Sequence, residues 1–300
     1  LIATIPDLDV IPLVKSSVIT QLIHHRGLSH SLLFCGIIPV FGASLSQRYL
    51  SWNISFKRWY LVWFLAFTTH ILLDLMTTWG TQVLWPNSTK FALDALFIID
   101  PFITIPLLVG CIIAKRTKKP QPAYWGVMII TLYMSWAIIA QHYMTNKFNQ
   151  ALSQIPQTII ATKVRPTPFN TLFWAVIAQT QSNELIMGYA RVWDNPKKIT
   201  FSTPISQNKK QLPSIKNIPQ INDLLAITQG YYVITINDNK VMISDGRFGR
   251  FGSWDNTNTG PFIFNYIYDQ QLNNWTQYRP PMPPTKPLVK SLINQLTSFN

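Results

Sequence analysis

Between residues 31 and 143 the chain carries four apolar stretches, 31–50, 59–79, 97–114 and 124–143, and no other feature limits its fold as much. Each is close to the roughly 20 residues that cross a hydrocarbon core. Inside lipid the backbone has no water to bond to, so segments of this kind satisfy their N–H and C=O groups as helices. Gly36, Pro39 and Gly42 fit that reading, because membrane helices tolerate such residues better than soluble ones. Charged residues make up 12% of the chain, about half the ~25% of a soluble domain. The expected architecture is a mainly α membrane domain over residues 1–146, with about four transmembrane helices, followed by a small β-rich soluble domain over residues 147–300.

Basic residues orient such a bundle. Arg48, Lys57 and Arg58 separate the first two stretches, and Lys115, Arg116, Lys118 and Lys119 separate the last two. Lysine and arginine accumulate in cytoplasmic loops, so both turns are expected inside. The segment before residue 31 and everything after residue 146 then face the exterior, which for a bacterial inner membrane is the periplasm. The formal charge of +13 also raises the question of nucleic acid, but the basic residues are scattered or flank apolar stretches instead of forming a stripe, so membrane lipid headgroups are the expected counter-charge.

The chemistry-bearing residues cluster at that exterior side. Residues 24–31 read His24-His25-Arg26-Gly27-Leu28-Ser29-His30-Ser31, which places three of the five histidines at the mouth of the first span. Neutral imidazole is the commonest side-chain ligand for zinc. His70 and Asp74 lie four apart, on one face of the second expected helix. Asp7 and Asp9, in Pro6-Asp7-Leu8-Asp9, can both reach a cation from an extended or turn segment. Charged groups inside a membrane are costly, at least ~2.5 kcal/mol for a central Asp, and usually functional. The expected metal set is Asp7, Asp9, His25, His30, His70 and Asp74, with a divalent ion, zinc by the donor types. Plainer readings stand beside it: His70 with Asp74 as a hydrogen-bonded tie between helices, Asp7 and Asp9 as turn formers, Asp100 as a helix N-cap before Pro101, and His24 and His142 as headgroup contacts. Cys35 and Cys111 fall inside apolar stretches, far from any CxxC pattern, and read as small core residues.

After about residue 146 the composition turns to Pro, Asn and Gln. Strand-like runs at 185–193, 231–237, 241–244 and 261–267, split by polar and Gly-rich turns, predict an antiparallel sheet. Residues 221–229 and 288–299 read as helices, and 245–252 (DGRFGRFG) as a solvated turn.

Pro6-Asp7-Leu8-Asp9, the 25–31 stretch, the run from His70 through Asp74 to Gln82, and Ile99-Asp100-Pro101 together resemble the membrane-bound metal-dependent hydrolase family typified by YdjM and YbcI. Pro166-Thr167-Pro168-Phe169-Asn170 and Asp245-Gly246-Arg247-Phe248-Gly249 are similar to fixed points of its longer members. The resemblance implies an inner-membrane hydrolase of a family also described as LexA-binding and distantly similar to zinc-dependent phospholipase C and P1-type nucleases. The family's opening Thr-His pair has no counterpart here. Because the chain opens with Leu, an upstream segment carrying that pair is expected.

The function expected is metal-dependent hydrolysis of a phosphoester or similar bond in a lipid or lipid-linked substrate, with Asp7, Arg26 and Asp74 as catalytic candidates and Arg26 placed to hold a phosphate. The alternative is a non-catalytic membrane protein with a structural His/Asp metal site and a partner-binding exterior domain. A transporter is disfavoured, since no inverted repeat is visible.

Overall fold

The computed structural model describes residues 2–50, 52–255, 258–281 and 284–297. These form two compact units, residues 1–93 and 94–300.

The first unit opens with two short 3-10 turns, Ile2–Thr4 and Pro6–Val10, followed by α1 (Val18–His24) and a third 3-10 turn, Leu28–His30. Residues 2–30 are thus largely helical, where their polarity predicts a loop or re-entrant segment. Side-chain capping makes these short pieces viable: the Ser17 hydroxyl accepts from the Thr20 amide and opens α1, and Ser31 accepts from Phe34 and opens α2 (Leu32–Tyr49). α2 packs on α3 (Phe56–Leu75) through a close approach. A Cβ at Gly42 would meet the Trp63 ring at 2.3 Å, so only glycine lets the two helices come together there. Cys35, Phe67 and Ile71 form the buried centre of this pair, with Ile2 and Ile5 of the N-terminal segment packed against it. Burying such side chains stabilises the unit by roughly 1.5–3 kcal/mol apiece.

The second unit begins with α4 (Pro101–Thr117) and α5 (Gln121–Leu152). Asp100 caps α4, its carboxylate accepting from the Phe102 amide at 2.9 Å and from the Tyr133 hydroxyl at 2.8 Å. A Cβ at Gly110 would lie 2.7 Å from the Pro122 carbonyl, and one at Gly126 lies 2.8 Å from that of Pro106, so two glycines hold α4 and α5 together.

The expectation of four spans is corrected. Among the described residues, one helix, α5, is long and apolar enough to cross a membrane. A second span results if Val18–His30 and Leu32–Tyr49, bent by 61°, count as one broken segment. All four apolar stretches are helical, but α3 carries Lys57, Arg58, His70 and Asp74, and α4 has only 17 residues. Cys111 is also corrected: it is exposed on α4, whereas Cys35 is buried.

Two four-stranded antiparallel sheets follow, each a meander. The first holds β1 (Ile159–Pro166), β2 (Phe173–Thr180), β3 (Glu184–Arg191) and β4 (Ile205–Ser206). Two short helices, α6 (Leu212–Ile215) and α7 (Ile221–Ile227), lead to β5 (Tyr232–Asn237), β6 (Lys240–Arg250), β7 (Phe262–Asp269) and β8 (Asn274–Tyr278). The last helix is α8 (Thr285–Thr297); residue 299, to which it was expected to run, lies outside the described residues. The last turns of α5, with Met144, Phe148 and Leu152, pack on Trp174, Val176 and Ile186 of the first sheet. Ile177, Leu185 and Met187 on that sheet meet Tyr231, Val233 and Phe262 on the side of the second.

Residues 245–250, read as a solvated turn, are strand: they continue β6, with Asp245 0% and Arg247 1% exposed. The Arg247 guanidinium bonds the Asp245 carboxylate at 2.7 Å two residues away, which is how a glycine-rich polar run becomes burying strand. Removing one partner of such a pair leaves an uncompensated buried charge, at a cost of about 3–5 kcal/mol.

Candidate metal centre

Four side chains from separate stretches of the first unit converge: Asp7 on the Pro6–Val10 turn, His30 on the Leu28–His30 turn, and His70 and Asp74 on α3. One ligand atom from each lies within 4.8 Å of the others. His30 Nε2 is 3.3 Å from Asp7 Oδ1, 3.1 Å from Asp74 Oδ2 and 3.2 Å from His70 Nε2. His70 Nε2 is 3.5 Å from both Asp7 Oδ1 and Asp74 Oδ2. A tetrahedron whose centre lies about 2.0–2.1 Å from each donor, the usual Zn–N and Zn–O length, has edges of roughly 3.3 Å. Five of the six edges are therefore measured close to that value.

The imidazoles of His30 and His70 stand within hydrogen-bond reach of each other and of Asp7, and the same atoms are the ones a cation would take. Asp74 Oδ2 is buried and makes no hydrogen bond, although two imidazole nitrogens stand near it. The Ser29 hydroxyl donates to Asp9 Oδ2 at 2.7 Å, which leaves its lone pairs to accept from His30 Nδ1 at 2.8 Å. That arrangement puts a proton on His30 Nδ1 and leaves Nε2 as the atom that faces the other three donors and would ligate a cation. The residues present fit a divalent metal ion.

The surrounding turn is built to hold this arrangement. Arg26 adopts a left-handed backbone, φ 61°, which reverses the chain between α1 and the His30 turn. Gly27 follows because a Cβ there would lie 2.8 Å from the His24 carbonyl. Lys90 Nζ donates to the Leu22 and His25 carbonyls and pins the turn from outside. Arg26 is buried, with Nη2 3.0 Å from Asp74 Oδ1 and Nη1 donating to the Thr77 hydroxyl at 3.0 Å, so its guanidinium fixes the orientation of Asp74.

His25 and Asp9 stand behind the four. His25 Nδ1 is 2.8 Å from Asp9 Oδ1, and Asp9 Oδ2 also accepts from the Arg26 amide. Burial pushes the Asp9 carboxyl up, but its bonds from His25, Ser29 and Arg26 outweigh this and hold it below the ordinary value. Asp7 is held far lower by the His30 and then the His70 imidazole beside it, against the effect of burial. Its side chain is 48% exposed, the most open of the four. Of the remaining candidates, His24 and His142 are exposed, and Asp100 serves as the cap of α4. Sequence reasoning gave no role to Ser29 or Lys90. The serine directly before His30 was its only available signal.

Comparison with known proteins adds to this picture. Residues 1–144 match the family described as YdjM inner membrane protein. Among curated proteins, the chain is 28% identical over 162 residues to the uncharacterized protein YfhP of Bacillus subtilis (strain 168), covering 52% of this chain and 47% of that one. It is 30% identical over 106 residues to the inner membrane protein YbcI of Escherichia coli (strain K12), covering 34% of this chain and 60% of that protein. The matches thus span about half the length of these relatives. No solved structure matches the chain. The resemblance drawn from the sequence motifs is borne out, and the chain is of a membrane-associated kind.

Proposed function

With residues 1–144 carrying the YdjM inner membrane protein pattern, we propose that the chain is an integral-membrane, metal-dependent hydrolase acting on a phosphoester or similar bond of a lipid or lipid-linked substrate. The observation that carries the reading is the convergence of Asp7, His30, His70 and Asp74 at spacings suited to one dication. Four protein donors fill a tetrahedral site, so hydrolysis requires one of them to give way to water; Asp7, 48% exposed, is the member placed to do so, and zinc there would supply a water acidified toward neutrality and a Lewis acid for a phosphoryl oxygen.

The chain's own residues do the rest. Ser29 and Asp9 keep His30 in one tautomer and one ring orientation. Arg26 holds Asp74 by its outer oxygen. Asp7, with its half-exposed carboxylate, is the member that substrate reaches first. The β domain is assigned to the exterior side of the membrane, because Lys115, Arg116, Lys118 and Lys119 precede α5 and such basic residues stay inside.

The test pairs metal analysis of the purified full chain with a phosphoester hydrolysis screen before and after chelation. One equivalent of zinc or a similar ion is expected, lost in His70→Ala and in Asp74→Ala alike, because ligands of one site act as a unit. Full metal content in either variant would overturn the shared site. A metal-loaded chain inert toward every phosphoester would overturn the hydrolase.

A further inference from the structure

A cavity of about 620 Å³ lies directly behind the metal centre in the first unit. Leu13, Leu28, Phe34 and Trp85 are among its apolar walls, and Asp9 and Ser29, the pair that fixes His30, also line it. His24, the exposed histidine outside the four-residue group, also lines it.

We infer that this cavity is the seat of one acyl chain of a glycerophospholipid, with the lipid's polar end beside Thr20 and His24. This rests on the reading of the site as one that serves a membrane lipid. Three observations point to a lipid chain. The cavity lies among outward-facing aliphatic side chains: Leu8, Ile11 and Val14 on the N-terminal segment are 50%, 61% and 72% exposed, and Leu32 at the start of α2 is 61% exposed. Such a concentration of exposed aliphatic surface is stable only against another apolar phase, and in a membrane protein that phase is lipid, so an acyl chain enters without crossing water. The apolar side chains of the lining, Ile5, Pro12, Leu13, Leu28, Phe34 and Trp85, outnumber its five polar ones, a balance suited to a chain with no N–H or C=O to pair. Finally, exposed Lys15 lies two residues after Leu13 of the cavity wall, so a cationic group stands near where an anionic headgroup ends.

The reading is tested with the full chain in bacterial phospholipid membranes doped with phosphatidylglycerol that bears a diazirine midway along one chain. After irradiation the adducts are located by peptide mapping. Adducts concentrated in residues 13–34 and 82–85 are expected, with most of them lost in Thr20→Trp or Leu28→Trp, which fill the cavity from different elements. Metal content and membrane insertion of each variant report folding, so the two substitutions back each other up. Adducts confined to the outer faces of α2–α5, or undiminished in a correctly inserted filling variant, overturn the inference. Neither readout requires hydrolysis, so a failed activity screen and an empty cavity are separate results.

Discussion

At the scale of single residues, the centre depends on second partners as much as on donors. If Ser29 sets the tautomer of His30, Ser29→Ala lowers metal affinity by about 10–100-fold, the usual effect of removing such a partner, while His24→Ala leaves it unchanged. Equilibrium metal titration of the purified chain measures both. Acid stability carries a second expectation. Asp7 and Asp9 titrate below the ordinary 3.8 in the folded chain, so the stability they contribute is complete above that value and is lost as pH falls through their lowered ones. Thermal melts of metal-free protein at decreasing pH are expected to hold down to about pH 4 and then fall, and Asp7→Asn flattens that acid limb. Much of this site was legible in the chain: a helical i, i+4 pair brings His70 and Asp74 together wherever the helix sits, whereas Asp7 and Asp9 read equally as a turn or an extended segment and lie on a 3-10 turn. What spacing could not decide was which of His25 and His30 faces His70. That choice is made by the left-handed Arg26 and by the side chains that bond the turn.

Among elements, the helices were legible because apolar length demands them, and their ability to span was not, because the same helices carry the site's charges. α3 brings His70 and Asp74 to the centre at the expense of its own hydropathy. Its packing on α2 rests on Gly42, and Gly42→Val places a side chain where the Trp63 ring now lies. Overpacking of this kind costs typically 1–3 kcal/mol, and because α3 carries two donors it also disturbs their spacing. Gly42→Val is expected to lower both the melting temperature and the metal content, with Gly36→Val, where a Cβ meets nothing within 4 Å, as the control. The strands divide in the same way. Runs with alternation or flanking turns were readable, whereas β2, buried at all eight positions, has no alternation to read, and β1 contains Lys163 and Arg165, whose charges are met by Asp94 and by the Arg247 carbonyl.

For the molecule as a whole, the open question is which side of the membrane the β domain occupies. A cysteine at Lys210, in a chain with Cys35 and Cys111 changed to Ser, is expected to react with an impermeant thiol reagent in intact cells. Lys210 is exposed, whereas the neighbouring Asn208 has positive φ and donates to the Ile234 carbonyl, and Asn256 lies outside the described residues. Labelling only after lysis would place the domain inside. Whichever side it occupies, its attachment is unusual in one respect. α5 is unbroken from Gln121 to Leu152, and its last turns are part of the core of the first sheet. A helix rises about 1.5 Å per residue, so the final nine residues raise the sheet by only ~13 Å, with no stalk between. Anchored domains are ordinarily shed by cleavage of an extended, floppy juxtamembrane segment. Here a protease would first have to unwind the helix that the domain is folded around, and so the domain stays with the membrane for as long as it stays folded.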